Sequence, residues 1–330
     1  MSNWFPASVL LGAAALAPAT AFADEGGTSV WLPGSFGSLA AVPQTPGWSL
    51  ATTYYHTSIS AGANVAIARE IETGRFTGTL NPNLNASANL ALLVPSYVFT
   101  TPVLGGQVAV SLTGIFGGSS ASLTGTLSGS LGPVAFSRSA NASDSVTGAG
   151  DLYPQTSLRW NWGAHNVMTY FQADVPVGSY QSTRLANLGV GHWAVDGGAG
   201  YTYFDPQSGH EFSAVAGVTG NFVNPSTDYR NGIDFHLDWG ASQFLSEQLH
   251  VGAVGYFYDQ ITRDSGAGDR VGGFESRVIG VGPQIGYIFP IGHHQAYLNL
   301  KGYKEVDATH RPSGWNLWLT LSISLGASTK

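Results

Sequence analysis

The chain has 330 residues, of which 10% are charged and 12% aromatic, with 44 glycines and a formal net charge of -7. The 13 Lys and Arg side chains are too few for the basic patch that nucleic acid requires, and the absence of cysteine excludes disulfides and Cys-based metal sites. This composition is too polar for a helical membrane protein and too poor in charge for an ordinary soluble surface. We therefore expect strands with one apolar and one polar face.

The amino-terminal residues carry the features of an export signal. An apolar run covers residues 9–15, and Ala21 and Ala23 give the small-residue pattern that signal peptidase accepts. We predict a signal peptide over residues 1–23, cleaved after Ala23. Beyond it, no stretch approaches the ~20 consecutive apolar residues of a transmembrane helix. Because backbone groups cannot stay unpaired in lipid, an exported strand-rich chain either closes into an outer-membrane barrel or remains soluble in the periplasm.

Residues 24–47 form a distinct segment before the first predicted strand. The proline and glycine content of this segment argues against a central strand. Its apolar side chains are more numerous than is usual in a disordered tail. We predict that the segment enters the barrel lumen as a plug, with a flexible periplasmic tail as the alternative. The plug would include Trp31, Pro33, Phe36 and Pro43.

Alternation of apolar and polar residues with a period of two predicts the strands that follow. The contrast is clearest in residues 315–325, and in residues 233–239 apolar side chains alternate with Asp234, His236 and Asp238. Segments of this kind give an all-β fold, a transmembrane antiparallel barrel of about twelve strands, and an even number is expected for a bacterial single-chain barrel. The strands lie within a barrel domain of residues 48–326 and cover 48–59, 88–101, 107–116, 152–162, 167–175, 195–204, 212–222, 233–239, 251–258, 278–289, 296–301 and 315–325.

Two kinds of connection alternate between the predicted strands. Some are short, carry the Gly, Pro and Asp of tight reversals, and are expected at the periplasmic rim. Residues 60–87 and 117–148 are longer and rich in Gly, Ser, Thr and Asn, and we predict that they form extracellular loops. The short links are residues 102–106, 163–165, 205–209 and 290–293.

Strand parity assigns a set of polar side chains to the lumen, where barrels are generally polar. Both signs of charge occur in this set, which suits amphipathic or aromatic solutes better than a simple ion, for which a ring of one sign is expected. Aromatic residues near strand ends, with Tyr256, Tyr258 and Trp318 among them, are interpreted mainly as interfacial girdles. The predicted solute-pathway residues are Arg159, Asp174, Asp196, Asp234, His236, Asp238, Gln284 and Lys301.

The sequence offers little that could catalyse a reaction. It contains neither the His-Glu-x-x-His pattern of zinc proteases nor the Gly-x-Ser-x-Gly elbow of hydrolases. His293 and His294 are adjacent on an extended chain and so point to opposite sides, which argues against a metal site. His236 is the one candidate for a catalytic histidine, and a hydrogen-bonded patch on the wall is the simpler interpretation. We predict no enzymatic activity, no cofactor and no metal.

Several runs resemble a family of outer-membrane proteins associated with the meta-pathway of phenol degradation, which includes a sphingosine-induced outer-membrane porin. The resemblance extends over nearly all of the mature chain. It implies an outer-membrane barrel that admits hydrophobic or aromatic growth substrates, and it transfers no catalytic residue. The matching runs are SVWLPGSFGSLAAVP at 29–43, GDLYP at 150–154, LRWN at 158–161, RLAN at 184–187, GPQIGY at 282–287 and LNLKGY at 298–303.

Together these observations predict a channel of the bacterial outer membrane for passive uptake of small hydrophobic or aromatic compounds, such as phenol-type or amphipathic, lipid-like catabolic substrates. The expected partners are outer-membrane lipid, the solute and the barrel-assembly machinery. Two alternatives remain open at this point. One is an outer-membrane hydrolase that uses His236, and the other is a structural or adhesive barrel with a closed lumen.

Overall fold

The computed structural model describes residues 30–62, 78–131, 134–269 and 275–326, and the predicted signal peptide lies outside these ranges. Within them, twelve antiparallel strands pair in chain order, and β12 pairs with β1 to close a barrel. No helix in the described part of the chain is long and apolar enough to cross a membrane. The strands are β1 (Gly47–Ala61), β2 (Gly78–Val98), β3 (Gln107–Leu131), β4 (Val134–Trp162), β5 (His165–Asp174), β6 (Ala194–Asp205), β7 (His210–Asn221), β8 (Asp234–Phe244), β9 (Leu249–Gln260), β10 (Arg277–Ile291), β11 (His294–Thr309) and β12 (Ser313–Ser324).

The predicted twelve-stranded barrel is confirmed, and the period-two pattern explains why it forms. In β8, Asp234, His236 and Asp238 are buried and face the lumen, while the residues between them face outward. Pairing of β1 with β12 runs from Ser49 opposite Ser324 to Ser60 opposite Ser313. The sheet therefore has no free edge, and every strand finds a backbone partner on both sides.

The short connections meet at one rim of the barrel, together with the start of β1 and the end of β12. Gly163, between β4 and β5, and Gly292, between β10 and β11, have φ values of 68° and 61°. This left-handed conformation suits glycine in tight hairpin turns. Short turns at the end where the first strand begins and the last strand ends are typical of the periplasmic rim of bacterial barrels.

The prediction that residues 117–148 form an extracellular loop is wrong. These residues continue β3 and β4, which stay paired from Gly117 opposite Gly148 to Leu131 opposite Val134. Residues 78–87 of the second predicted loop belong to β2, and residues 63–77 lie outside the described ranges. The error has a physical reason. Ser, Thr and Asn occupy the outward face of this hairpin, whereas the inward face carries mainly small residues such as the buried Ala121, so the contrast between the faces is weak and the composition resembles that of a loop.

The outward face changes from apolar to polar along one row of residues. His56, Asn89, Gly118 and Thr147 are register partners across β1 to β4 and mark this boundary. Below the row, the outward side chains form an exposed apolar belt of the kind that faces lipid. Above it, β2, β3 and β4 extend beyond the belt as a polar sheet. Exposed members of the belt include Trp48, Leu50, Leu93, Val110, Leu112, Phe116, Ile285, Leu300 and Leu319.

Candidate functional site

Residues 30–46, called the plug segment here, lie inside the barrel. The backbone N–H of Leu39 donates a hydrogen bond to Glu211 at 2.9 Å, and that of Ala41 donates to Thr202 at 3.0 Å. Gln44 exchanges two hydrogen bonds with the Gln107 side chain at the start of β3. Trp31 and Ala41 are buried, whereas Pro33, Phe36 and Pro43 are half-buried. The segment is therefore hydrogen-bonded to inward-facing side chains of β3, β6 and β7.

Two opposite charges on the wall hold the turn at Gly34 to Phe36. Asp238 of β8 accepts the N–H groups of Gly34 and Phe36 at 3.0 and 2.9 Å. The Nζ atom of Lys301 on β11 donates to the carbonyl oxygens of the same two residues at 2.6 and 3.0 Å. Charged groups in such a buried place are stabilised only when they are hydrogen-bonded and compensated. We call this arrangement the plug clamp.

Gly34 is required by the geometry of the clamp. It has a φ of 90°, and a Cβ atom at this position would lie 2.9 Å from the ring of Tyr303. Any side chain would therefore strain the backbone and collide with the wall. The glycine lets the chain come close enough for Asp238 and Lys301 to reach its backbone on both sides.

An aromatic stack fixes the beginning of the plug segment. The indole of Trp31 stacks on the imidazole of His236, with ring centroids 3.8 Å apart and an interplanar angle of 12°. His236 Nε2 lies 2.8 Å from Asp196 Oδ2, and the same oxygen accepts the Thr219 hydroxyl at 2.6 Å. Asp196 and His236 are on β6 and β8, with β7 between them. Gly217 on β7 leaves room for the contact, since a Cβ atom there would lie 2.7 Å from the His236 ring.

The surroundings of His236 do not favour the hydrolase alternative. Within the described residues, its hydrogen-bond partners are Asp196 and Tyr170, and Trp31 covers its ring. A catalytic histidine of the Ser-His-acid type needs a nucleophile within hydrogen-bond reach. Asp234, which is close to His236 in sequence, accepts a hydrogen bond from Asn221 instead. The carboxylate that pairs with His236 is that of Asp196. In the described part of the chain, no group of three or more His, Cys, Asp or Glu could hold a metal ion.

All eight polar residues that parity assigned to the lumen are buried there, but they have different partners. Gln284 donates to Ser38 of the plug segment at 2.6 Å and thereby joins Asp238, Lys301 and His236 as a plug contact. Arg159 bonds to Ser157 on its own strand at 2.6 Å. The structure therefore brings half of the predicted set together around the plug. The buried members are Arg159, Asp174, Asp196, Asp234, His236, Asp238, Gln284 and Lys301.

Above the plug segment, the lumen contains an apolar layer that parity did not predict. Strands on most sides of the barrel contribute to it, and Val30 of the plug segment packs against it. The girdle interpretation is wrong for Tyr256, Tyr258 and Trp318, which are 1%, 2% and 4% exposed and face the lumen. The layer consists of Val30, Tyr55, Leu90, Leu92, Ile115, Tyr153, Val190, Ala194, Val254, Tyr256, Tyr258, Val278, Tyr303 and Trp318.

Residues 175–193, between β5 and β6, fold back over the lumen on the side away from the plug. Asp151 accepts the N–H groups of Gly178 and Val190, both at 2.7 Å. Asp144 accepts two hydrogen bonds from the Arg184 guanidinium at 3.0 and 2.9 Å. Val190 is a member of the apolar layer, so the layer lies between the plug segment and this β5–β6 segment.

A few polar groups interrupt the apolar layer. Glu305 accepts the Tyr256 hydroxyl at 3.0 Å, and the Asn316 amide donates to that hydroxyl at 2.9 Å. The hydroxyl of Tyr303 is buried and has no hydrogen-bond partner within the described residues. Apolar walls with a few polar groups are typical of sites for small organic ligands.

Comparisons with known proteins agree with this architecture. A model of the family described as putative MetA-pathway of phenol degradation matches residues 68–321. The COG4313 outer membrane channel from Pseudomonas putida F1 has a similar structure, with a TM-score of 0.62 and 14% identity over 86% of this chain and 97% of that chain. At this identity the likeness shows a shared fold, that of an outer-membrane barrel.

Other solved barrels are less similar. A FadL homologue from Pseudomonas aeruginosa gives a TM-score of 0.41 and 9% identity, over 93% of this chain and 97% of that chain. The transport unit of the autotransporter AIDA-I from Escherichia coli gives 0.39 and 10%, over 89% of this chain and 94% of that chain. No protein with a curated function matches the chain.

The plug clamp predicts how accessible the plug segment is to a reagent. The chain has no cysteine, so an Ala41→Cys variant carries a single thiol at a fully buried position. Replacing both charges, Asp238→Asn with Lys301→Met, removes the clamp without leaving one buried charge alone. We expect labelling of the introduced thiol by a water-soluble maleimide to accelerate on the order of tenfold, since hydrogen bonds to charged groups contribute roughly 1.5–3 kcal/mol.

The control for this experiment is Asp307→Asn with Arg277→Met. This pair is bonded at 3.1 Å but is exposed and outside the plug contacts, so its loss should leave labelling unchanged. Equal labelling rates with and without the clamp substitutions would show that Asp238 and Lys301 do not hold the plug segment.

Proposed function

Because the chain belongs to the family described as putative MetA-pathway of phenol degradation, we propose that it is an outer-membrane channel for the passive uptake of small hydrophobic or aromatic compounds. Phenol-type and amphipathic, lipid-like substrates fit this description. The observation that carries the proposal is the apolar, aromatic layer across the lumen between the plug segment and the β5–β6 segment.

The physical argument rests on desolvation. A polar solute loses its hydration when it enters the layer and finds few hydrogen-bond partners there, at a cost of several kcal/mol. A phenyl-sized solute that buries on the order of 150 Å² of apolar surface gains roughly 4 kcal/mol at about 25 cal/mol per Å². The layer therefore favours hydrophobic solutes. The unpaired hydroxyl of Tyr303 supplies a hydrogen bond for a solute that carries one polar group.

The polar lumen residues divide into two roles in this proposal. Asp238, Lys301, Gln284 and His236 act through the plug segment, which restricts passage on the periplasmic side. The remaining predicted pathway residues border the route that a solute follows once the plug segment moves. These are Arg159, Asp174, Asp196 and Asp234.

The route of the protein to the membrane is a further part of the proposal. Export would follow from a signal peptide cleaved after Ala23, and insertion would require the barrel-assembly machinery. The apolar belt of outward side chains supports residence among outer-membrane lipids.

A substitution in the apolar layer tests the route. Val254 is fully buried and belongs to the layer. We expect Val254→Asn to reduce the initial rate of alkylbenzene uptake by cells about tenfold, because an amide in the layer replaces apolar surface and costs a passing solute roughly 1–3 kcal/mol. Initial rates with a radiolabelled solute provide the measurement.

Val98→Asn is the matched control, since Val98 is equally buried but lies at the end of β2, outside the layer. We expect the Val98→Asn variant to keep most of the wild-type uptake rate. Uptake that falls equally in the two folded variants, or in neither, would argue against passage through the layer.

Deleting the plug segment tests its restricting role. Removal of residues 30–46 leaves the barrel strands intact and takes away the contacts with Glu211, Thr202 and the clamp. We expect the initial rate of alkylbenzene uptake by cells to rise severalfold, because the segment no longer obstructs the periplasmic half of the lumen while the apolar layer remains. A deletion barrel that is folded and takes up the solute no faster than the wild type would contradict this role.

A further inference from the structure

The polar sheet above the lipid-facing belt carries an unusual outward surface. Register places Ser58, Ser87, Ser120 and Ser145 side by side on β1 to β4. A second row, one step higher, contains Ser60, Asn85, Ser122 and Ser143 in the same order. Small hydroxyl and amide side chains therefore form a two-row lattice on the outside of the barrel.

This lattice is the floor of a groove of about 810 Å³. At the edge of the groove, on β11 and β12, stand Lys304 and Trp315. Trp315 is 45% exposed, and the centroids of the Trp315 and His56 rings are 4.7 Å apart. The groove is confined to one side of the barrel. At the extracellular ends of β6 and β8 the outward face is apolar instead of polar, since Val195 and Ile233 are exposed there.

The chemistry of the groove suits a sugar. Each serine hydroxyl can donate one hydrogen bond and accept others. The Ser87 and Ser120 hydroxyls are hydrogen-bonded to each other at 3.0 Å, which uses one O–H group and leaves the other O–H group and acceptor positions on both oxygens for a sugar. The face of an exposed tryptophan offers an apolar platform on which the C–H face of a pyranose ring can lie. Lys304 adds a positive charge that can bind a phosphate.

The position of the groove indicates where that sugar comes from. Its lower edge is one step above the row of His56, Asn89, Gly118 and Thr147, at which the lipid-facing belt ends. A lipid whose acyl chains lie against the belt therefore places its headgroup in the groove. A phospholipid headgroup layer is roughly 6 Å deep, about the rise of two strand residues, so it reaches the first row, whereas the lattice continues upward through a second row.

We propose that the groove binds the sugar headgroup and inner core of a lipopolysaccharide molecule of the surrounding outer leaflet. The two serine rows hydrogen-bond to sugar hydroxyls, Trp315 packs against a sugar ring, and Lys304 pairs with a headgroup phosphate. This site is separate from the lumen, and its existence does not depend on the transport function.

Competition between two lipids tests the proposal. The purified barrel is mixed with equal amounts of lipopolysaccharide that carries its inner core and of lipid A that lacks core sugars, and the bound species are counted by native mass spectrometry. We expect the wild type to retain the core-bearing form with a preference of about tenfold, which corresponds to ~1.4 kcal/mol. Acyl chains alone would give no preference, since both lipids carry them.

The groove variant is Ser87→Leu with Ser120→Leu, which removes the central hydroxyl pair and fills the floor. Its control is Thr126→Leu with Ser139→Leu, a cross-strand hydroxyl pair at 2.9 Å on the same sheet but outside the groove. We expect the preference for the core-bearing lipid to be lost in the first variant and kept in the second. Migration of the unheated proteins on gels checks that both barrels are folded.

A second variant keeps the test decisive if the double substitution disturbs folding. Trp315→Ala removes an exposed side chain at the edge of the groove, and Trp162→Ala removes an exposed tryptophan at the opposite, periplasmic end of the barrel. The preference should weaken in the first and persist in the second. A wild type without preference, or a preference that survives in all folded groove variants, would overturn the proposal.

Discussion

Closure of the sheet by pairing β1 with β12 is the constraint on which the rest of the structure depends. Lipid offers no hydrogen-bond partners, so a spanning sheet is stable only when every strand is paired on both sides. Once the ladder is closed, the outward side chains need only be apolar, as Leu50 and Leu319 are. Groups that bind or select a solute are then confined to the lumen, and groups that meet sugars or water are confined to the two ends.

Inside the barrel, the plug segment contacts two different environments, the charged side chains of the clamp and the apolar layer. Asp238 and Lys301 would be costly as separate buried charges, but the backbone at Gly34 and Phe36 supplies partners for both. The same segment brings Val30 against the apolar layer above. The clamp therefore consists of hydrogen bonds between two charged side chains and the backbone, which is compatible with the restricting role proposed for the segment.

The sequence predicted the strands and their inward polar residues because apolar and polar side chains alternate where one face meets lipid and the other meets the lumen. That contrast is weak or misleading in two places, and both produced errors. In residues 117–148 the outward face carries Ser, Thr and Asn and the inward face mainly small residues such as Ala121, so a long hairpin was interpreted as a loop. In β9, Tyr256 faces the lumen and Phe257 faces outward, so parity could not assign the aromatic residues to one side.

Contacts across the lumen were beyond what the sequence could predict. Asp196 is the carboxylate that bonds to His236, although Asp234 and Asp238 are closer in sequence. The clamp joins Gly34 to Asp238, which are 204 positions apart. Such pairs depend on barrel closure and on small residues such as Gly217 that open a gap in the wall. Residue types and the faces that they occupy could be predicted from the sequence, but the contacts between side chains across the lumen could not.

We propose that the apolar layer makes this barrel a route for hydrophobic solutes. The most direct measurement is the uptake of radiolabelled phenols, alkylbenzenes and long-chain amines by a strain that lacks the gene, with and without the gene restored. We expect an uptake defect that is limited to some of these solutes and is repaired by the restored gene. Normal uptake of every compound in the deletion strain would contradict it.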